Sequence, residues 1–574
     1  MHNIDEIKKI FREGKQIEAL SLCEALCQRE PTNIEPKRLY AVMHGLMGNY
    51  KNSSTYLQDI LDQNGDDADA LFNIAVCERE QHNFTAAERF YLLYTSKFPK
   101  QADGWVNLAE CQFRLNNFPA SLKSVDTALA LNPRSAQAWI TKGDSLRAIK
   151  RCDEALASYG KANQIQPNAV ASLNQGLTLV EINRYKEAVE SFSAALRLAP
   201  NLLAARSGRA DALNHLGRIE DAVADYRAAL LAKPTDEAVL KKISVCLVKL
   251  NCGREAIQFF RNALEVQPAL LTAKLGITWV LSQMIPPWHL PMMNEWDRNN
   301  AYYLGMKAAI APGASVLEIG TGSGLLAMMA AQLGAKTVTT CEAVSLIAET
   351  AQQIVEKNNY QDRVTVLAKP SFEIELGSDL PDKADILVHE IFSSELIAEH
   401  VLPALEDAKR RLLKPDARIL PAAASIMIAL VGGDDIGKYL YVKDSFGFDL
   451  QDFNAITPKK ITLYREDLNH ELFSEGTEAF RFDFVNESAF PAQSKTLEIV
   501  AHAEGLCYGV IQWIRMEFGE QISFENHPSQ SKSISNWQRT VFRFDAPIQL
   551  QRGSVVSVVA AHDRSVPWFD LAKA

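Results

Sequence analysis

The sequence predicts a multidomain chain in which an all-α superhelix of repeated helix pairs precedes an α/β domain and then an all-β domain. Three observations predict this order: a proline that returns every 33 or 34 residues through most of the first half, an apolar run that leads into three close glycines, and short apolar segments that alternate with turns near the end. Since 574 residues exceed what one hydrophobic core supports, several domains are expected. The expected ranges are 1–271 for the repeats, 272–310 for a linker with covering helices, 311–421 for the α/β domain and 422–574 for the β domain.

The repeated units of the first half share a small residue and, four positions later, an aromatic residue. This spacing puts both on one helical face, where two helices of a unit can approach closely. The pairs include Ala87 with Tyr91, Ala155 with Tyr159, and Ala222 with Tyr226. With the terminal proline, the pattern resembles the tetratricopeptide repeat, and about eight repeats fit residues 4 to 271. Such units stack into a superhelix with a groove, so protein partners are expected there.

Three asparagines occupy the same early slot in the first helix of their repeats: Asn73, Asn107 and Asn174. In tetratricopeptide repeats this position faces the groove, and an asparagine offers a peptide backbone one donor and one acceptor. The alternative interpretation is that all three are solvated surface residues.

The glycine-rich stretch follows an apolar run over residues 316–319 and contains Gly320, Gly322 and Gly324. Glycine lets a backbone turn sharply and lie against a ligand. A dinucleotide loop would require a third glycine where Leu325 stands, which weakens an NAD interpretation. The stretch is similar to the loop of S-adenosylmethionine-dependent methyltransferases with a Rossmann-like fold, with Glu318 as the acid that ends the first strand. A tight turn without a ligand is the alternative.

Two further groups of acids follow predicted strands. Glu342 ends the second strand about 20 residues past the glycines, where a carboxylate can accept hydrogen bonds from both ribose hydroxyls. Glu390 and Glu399 flank a loop after the fourth strand, with Glu395 between them. A guanidinium is positively charged when it binds. An enzyme that brings it to a positively charged sulfonium therefore needs carboxylates, which offset the repulsion between the two cations and aim one guanidinium nitrogen at the methyl carbon. The alternative is an ordinary acidic helix start, and Glu395 has no assigned role.

The paired glutamates resemble the glutamate loop of protein arginine methyltransferases, and the resemblance covers about residues 286 to 574. It lies closest to the divergent subgroup with N-terminal tetratricopeptide repeats or tandem catalytic modules. It implies S-adenosylmethionine as cofactor, with Arg298 on the methionine carboxylate and Glu373 on the adenine amino group. Trp537 would form a wall for the substrate arginine stem, and Asn536 stands where relatives have a histidine.

The same resemblance implies a barrel-like β domain that closes the substrate cleft. It also implies a homodimer, with residues 447–457 as the candidate arm that pairs two copies.

Composition limits the partners and the compartment. A net charge of -10 argues against nucleic acid as the main partner, since that ligand selects a basic face. Nine cysteines without a C-x-x-C pair indicate reduced thiols and no metal site. No apolar run of about 18 residues occurs, so we expect no membrane span and a cytoplasmic protein, with access to the nucleus left open.

Three hypotheses follow. The first is an arginine N-methyltransferase whose repeats recruit arginine-containing protein substrates. The second is a non-catalytic repeat scaffold with a degenerate methyltransferase fold, which Asn536 favours. The third is a methyltransferase for a different acceptor. The resemblance favours monomethyl or symmetric products over asymmetric ones.

Overall fold

The computed structural model describes residues 3–463, 468–529 and 537–572, and the chain divides into two compact units. The first unit comprises Met1–Cys246 with Arg261–Leu270. The second comprises Leu247–Phe260 with Leu271–Ala574. The turn that joins the last two repeat helices therefore belongs to the second unit, although it lies within the predicted repeat region.

The predicted repeats form consecutive helix pairs, eight of them in the part of the chain that is described. Their bounds are α1 (Ile4–Arg12) and α2 (Gln16–Arg29), α3 (Ile34–Leu46) and α4 (Tyr50–Gln63), α5 (Ala68–Glu80) and α6 (Phe84–Lys97), α7 (Ala102–Arg114) and α8 (Phe118–Leu131), α9 (Ala136–Ala148) and α10 (Cys152–Ile165), α11 (Ala169–Glu181) and α12 (Tyr185–Leu198), α13 (Leu203–His215) and α14 (Ile219–Ala232), and α15 (Glu237–Lys249) and α16 (Gly253–Val266).

The small and aromatic slots of the repeats are buried together. Ala155 and Tyr159 of α10 are fully buried, and a Cβ added to Gly143 of α9 would lie 2.5 Å from the Tyr159 ring. The two helices of that pair touch because one of them carries no side chain at the contact.

The turn inside each helix pair holds one residue in the left-handed backbone region, which ends the first helix. This residue is Gly14, Gly48, His82, Asn116, Lys150, Asn183, Gly217 or Asn251.

The α/β part of the second unit is a five-stranded parallel sheet in the order β3-β2-β1-β4-β5. The strand order reverses between β1 and β4, where open α/β sheets bind ligands at the carboxyl ends of the strands. The elements are α17 (Leu271–Met284), α18 (His289–Asn294), α19 (Trp296–Ala309), β1 (Ser315–Ile319), α20 (Leu325–Gln332), β2 (Thr337–Cys341), α21 (Ser345–Lys357), β3 (Val364–Leu367), a 3₁₀ turn (Ser371–Glu373), β4 (Ala384–His389), α22 (Val401–Arg411) and β5 (Leu413–Leu420).

The rest of the second unit is antiparallel β structure, as predicted. Its elements are β6 (Ala423–Gly432), α23 (Asp434–Leu440), β7 (Asp444–Ser445), β8 (Phe448–Asp449), a 3₁₀ helix (Gln451–Ile456), β9 (Lys460–Leu463), β10 (Glu471–Leu472), β11 (Thr477–Asp483), β12 (Gln493–Val500), β13 (Gly505–Gly519), β14 (Ile522–Glu525), β15 (Arg539–Leu550), β16 (Val555–His562) and β17 (Pro567–Leu571).

These strands do not form the closed barrel that the resemblance implies, at least over the described ranges. A seven-stranded sheet is built on β6, β13 and β15, whereas β12, β16 and β17 pair only with one another. The two sheets share a core through residues such as Phe542 and Phe569, whose rings meet edge to face at 5.0 Å. Side-chain packing therefore joins the two sheets, and an isolated antiparallel bridge between Ser474 and Ala501, outside the named strands, adds one backbone contact. None of the described helices is long and apolar enough to cross a membrane.

Candidate active site

The glycine loop connects β1 to α20. Each of its three positions requires glycine for a different structural reason. All three have positive φ angles. A Cβ on Gly320 would lie 2.6 Å from the Glu390 carbonyl oxygen, so the loop touches the backbone that follows β4. A Cβ on Gly322 would meet only the methyl carbon of Met292, at 3.8 Å, because that side faces open space. Gly324 is the residue that caps α20.

A cavity of about 420 Å³ lies over the carboxyl ends of β1, β2 and β4. Five of the predicted site residues line this one cavity: Gly320, Gly322, Glu342, Glu390 and Glu399. Chain segments more than 70 residues apart in sequence thus meet at the reversal of strand order.

Glu342 is held in the cavity wall by two backbone donors. Val344 N–H donates to Oε1 at 3.1 Å and Gly322 N–H donates to Oε2 at 3.2 Å. Burial raises the pKa of Glu342, and these backbone hydrogen bonds oppose the shift. The carboxylate is fixed in orientation, and each oxygen retains a lone pair for a hydroxyl donor.

The loop from Glu390 to Glu399 has a strained backbone. Leu396, Glu399 and His400 lie in the left-handed region with φ of 72°, 60° and 60°, although none is glycine. Each such residue costs on the order of 1 kcal/mol or more, and strain of this kind clusters at functional sites. The strained corner presents Glu399 at the mouth of the cavity.

Glu390 forms a buried ion pair with Arg298 of α19. Arg298 Nη2 lies 2.9 Å from Glu390 Oε2, and Nη1 donates to Asn299 Oδ1 at 2.7 Å. Burial raises the pKa of Glu390 to about 7, which the Arg298 charge and hydrogen bond oppose. The guanidinium also lies over the rings of Tyr302, at 5.3 Å, and Trp537, at 5.7 Å. Arg298 is therefore surrounded by a carboxylate and aromatic faces.

Three contacts from the β region anchor the loop that carries the two glutamates. The Trp537 indole N–H donates to the Phe392 carbonyl at 2.9 Å, and Gln538 N–H donates to Ser394 Oγ at 2.9 Å. Lys460 Nζ lies 2.5 Å from Glu395 Oε1. Glu395, to which the sequence analysis assigned no role, therefore links the glutamate loop to β9 through its ion pair with Lys460. Trp537, predicted to flank the substrate, is buried and supports this loop.

Other predicted site residues lie apart from the cavity. Glu318 is buried on β1, and burial raises its pKa to about 8, but it does not line the cavity. Glu373 is exposed at the end of the 3₁₀ turn, while its neighbours Ser371 and Phe372 line the cavity. Asn536 lies outside the described residues.

Of the predicted groove asparagines, two have partners within the array. Asn107 Oδ1 accepts from Arg79 Nη1 at 2.6 Å, and Asn174 Nδ2 donates to Asp144 Oδ1 at 2.8 Å. Asn73 is half-buried on α5.

Two residues that sequence reasoning missed line the same cavity, His289 and Met292. His289 lies on α18 near enough to Glu342 to favour its charged form. His289 and Met292 lie in the range 272–310, for which the sequence predicts a linker with covering helices, but no pattern singled out these two side chains. The only available signal was their position just before Arg298.

The site fits S-adenosylmethionine. Its glycine loop faces open space, Glu342 presents a fixed carboxylate, and Arg298 Nε is buried without a hydrogen-bond partner among the described residues. Glu342 would hold the ribose. Arg298 does not line the cavity, but its Nε and the second N–H of each Nη remain as donors that could meet the methionine carboxylate.

Comparisons with known proteins bear on the family and the fold of the chain. The family model described as "Ribosomal protein L11 methyltransferase (PrmA)" matches residues 304–421, and the tetratricopeptide-repeat model matches residues 47–102, 106–170 and 173–237. An arginine N(omega)-methyltransferase of Streptomyces achromogenes subsp. streptozoticus is 34% identical over 275 residues, which cover 48% of this chain and 75% of that protein.

Two relatives from mammals are longer than the matched region. Protein arginine N-methyltransferase 7 of Rattus norvegicus is 29% identical over 317 residues, 49% of this chain and 45% of that protein. Protein arginine N-methyltransferase 9 of Mus musculus is 26% identical over 395 residues, 62% of this chain and 46% of that protein. The chain thus spans less than half the length of both.

The cavity, its glycine loop and paired glutamates, the repeat array and these relatives agree with one another. The chain belongs to the arginine methyltransferase family of S-adenosylmethionine-dependent enzymes, and it carries tetratricopeptide repeats ahead of the methyltransferase fold.

Proposed function

We propose that the protein transfers a methyl group from S-adenosylmethionine to a terminal nitrogen of arginine side chains in proteins. One observation carries the proposal: a single cavity joins the glycine loop and Glu342, which suit the cofactor, to Glu390 and Glu399, which suit a guanidinium. When bound, the cofactor supplies the methyl group on a positively charged sulfur.

The residues of the chain bind and orient the two reactants. Glu342 accepts the ribose hydroxyls, and Gly322 leaves room for the ligand because it has no Cβ. Glu390 and Glu399 accept N–H groups of the substrate guanidinium and aim one terminal nitrogen at the methyl carbon for in-line displacement. The excess proton leaves the guanidinium during or after transfer.

The ionisation of Glu390 links the site to pH. Its pKa of about 7 means that the carboxylate form, which the cationic substrate requires, is depleted as the pH falls below 7. A bound guanidinium favours the charged form and lowers this pKa. The pH dependence should therefore be strongest in kcat/KM, which reports the free enzyme.

Protein substrates are the favoured acceptors because the repeat array offers a surface that shares no residues with the active-site cavity. A cavity of about 270 Å³ between α7, α9 and α11 is lined by Asp144, Arg114 and the exposed Val170, among others. We place protein recruitment in this groove, together with Asn73. Substituting Asn73 by Ala and Val170 by Asp should lower kcat/KM for a protein substrate and leave a short arginine peptide unaffected. Equal losses on both substrates would contradict recruitment.

Free arginine is the second candidate acceptor. The Streptomyces relative, of which this chain covers 75%, is named for arginine without reference to protein. Free arginine has the same guanidinium, so Glu390 and Glu399 would hold it equally well.

A homodimer is the proposed assembly. The segment from β7 to the end of the following 3₁₀ helix exposes Phe446, Phe448, Phe453 and Ile456, and Phe446 is 100% exposed. With Leu450, five large apolar side chains are exposed on this short segment, which is costly in water and typical of a protein interface. We propose that a second copy covers them, and that the protein works in the cytoplasm.

The experiment compares acceptors under one set of conditions. Wild-type protein is incubated with tritium-labelled S-adenosylmethionine and an arginine-containing protein, an arginine peptide, the same peptide with lysine for arginine, or free arginine. The proposal predicts label on the protein and the arginine peptide, and none on the lysine peptide. Label on free arginine alone would establish the second candidate. Normal cofactor binding without methyl transfer to any of these acceptors would favour the non-catalytic scaffold hypothesis.

A further inference from the structure

The turn between α15 and α16 contacts the loop that follows β2, about 90 residues later in the chain. Asn251 Nδ2 donates to the Ala343 carbonyl at 2.7 Å, and Ser345 N–H donates to Asn251 Oδ1 at 3.1 Å. The Ser345 hydroxyl also donates to the Asn251 carbonyl. All of these residues belong to the second unit. One side chain thus holds the peptide groups on both sides of Val344.

Val344 connects this contact to the cavity. Its N–H donates to Glu342 Oε1 at 3.1 Å, and both Ala343 and Val344 line the cavity. A hydrogen-bonded chain therefore runs from Asn251, through the loop, to the carboxylate of Glu342, which we propose binds the ribose.

The turn is also packed tightly against its surroundings. A Cβ on Gly253 would lie 2.0 Å from the Met284 sulfur of α17 and 3.4 Å from Leu346 Cδ2 of α21. Arg254 of α16 forms an ion pair with Glu349 of α21. The position of the turn is fixed by packing and by charge as well as by Asn251.

Backbone conformation alone does not account for the side-chain hydrogen bonds of Asn251. It occupies the left-handed slot that recurs in every helix pair, where Asn116 and Asn183 also stand. Asparagine and glycine tolerate that conformation, so the slot explains the residue type. It does not explain three side-chain hydrogen bonds to residues 92 and 94 positions away, whereas the Asn183 side chain accepts a local hydrogen bond from Tyr185.

We propose that Asn251 is a positioning residue for the cofactor site. It holds the Ala343–Ser345 loop in the conformation that aims Glu342 at the ribose hydroxyls. Because α15 and α16 continue the repeat array, the last repeat contributes to cofactor affinity while lying outside the cavity. The inference rests on the proposed function, since it assumes that Glu342 binds the ribose.

The test uses the full chain with Asn251→Gly, which keeps the left-handed backbone but removes the three hydrogen bonds of the Asn251 side chain. The matched control is Asn116→Gly, the same exchange in the same slot of another repeat. Calorimetric titration with S-adenosylhomocysteine should show about tenfold weaker binding for N251G and less than about twofold change for N116G. In turnover assays, KM for S-adenosylmethionine should rise in N251G, while kcat and KM for an arginine peptide stay unchanged.

A double-mutant cycle separates positioning from general destabilisation. If Asn251 acts through Glu342, then adding N251G to Glu342→Gln should weaken binding much less than N251G weakens wild type. Additive losses would overturn the proposal, as would wild-type affinity in N251G. Should N251G fail to fold by circular dichroism, Asn251→Asp keeps the acceptor for Ser345 and removes the donor to Ala343. That variant should show an intermediate loss, and unchanged affinity would again overturn the proposal. Failure of wild type to bind the ligand would contradict the proposed function itself.

Discussion

The most informative single substitution is Glu399→Gln, because Glu399 is the carboxylate of the pair that is not neutralised by any basic residue in the described part of the chain. Glu390 is already paired with Arg298 at 2.9 Å, whereas Glu399 forms no ion pair among the described residues. When substrate and cofactor are bound, Arg298, the guanidinium and the sulfonium bring three positive charges together. Glu399 is then the acid most able to offset the repulsion between the reactants.

The size of the effect follows from Coulomb's law. Unit charges about 4 Å apart interact by about 4 kcal/mol at an effective dielectric constant of about 20. Glutamine keeps the length of the side chain and one carbonyl acceptor, so part of the orientation is retained. A loss of about 3–4 kcal/mol corresponds to roughly two to three orders of magnitude in rate.

The assay is steady-state methyl transfer to an arginine peptide, with cofactor affinity measured separately by calorimetry. Turnover by Glu399→Gln should fall by roughly two or more orders of magnitude while the affinity for S-adenosylhomocysteine hardly changes. Glu373→Gln is the control, since that glutamate is exposed and outside the cavity. If Glu399→Gln retained activity within about tenfold of wild type, the electrostatic reasoning would be refuted.

Four further predictions follow from the site and its surroundings. Gly322→Leu should abolish binding of S-adenosylhomocysteine and leave helical content intact, because its side chain would enter the cavity from a position with positive φ. The kcat/KM profile should rise with pH through about 7 as Glu390 ionises; a flat profile between pH 6 and 8 would show that Glu390 does not control it. Glu395→Gln should lower turnover less than Glu399→Gln, since glutamine can still accept a hydrogen bond from Lys460; a loss as large as that of Glu399→Gln would give Glu395 a direct role. Sedimentation at micromolar concentration should show a dimer for wild type and a monomer for Phe446→Ser with Phe453→Ser, and an unchanged mass would remove the arm from the interface.

The site residues that could be predicted from the sequence are those that lie directly after a predicted strand. Gly320, Gly322, Glu342 and Glu390 each follow the end of a strand, and parallel strands bring their carboxyl ends to one edge of a sheet. Recognising the strands was therefore enough to bring these residues together. The eight helix pairs were predictable for a similar reason, since each pair packs mainly on its neighbours in sequence.

Contacts between distant segments were not predictable. The Arg298–Glu390 pair, the Lys460–Glu395 pair and the bonds of Asn251 join residues between 65 and 94 positions apart. A pattern of apolar residues along the chain does not indicate which distant side chains will come into contact. Trp537 is an example: its motif indicated a wall for the substrate arginine, which stays a prediction, but gave no sign that the buried indole donates a hydrogen bond to the Phe392 carbonyl.

The β region shows a further limit of sequence patterns. Alternating apolar residues predicted antiparallel strands, but alternation does not specify which strands become neighbours. Whether β12, β16 and β17 close a barrel with the larger sheet depends on the edge pairing of those strands. Over the residues that the structure describes, the ladders of these three strands join only one another.

The central claim is that this cavity methylates arginine, and tandem mass spectrometry of the reaction product tests it most directly. Wild-type protein is incubated with an arginine-containing protein and S-adenosylmethionine that carries a deuterated methyl group, and Glu399→Gln is treated in parallel. The account predicts labelled methyl groups on terminal nitrogens of arginine with wild type and a near-complete loss with the variant. Labelled methyl groups on lysine or histidine, or equal labelling by the two proteins, would contradict it.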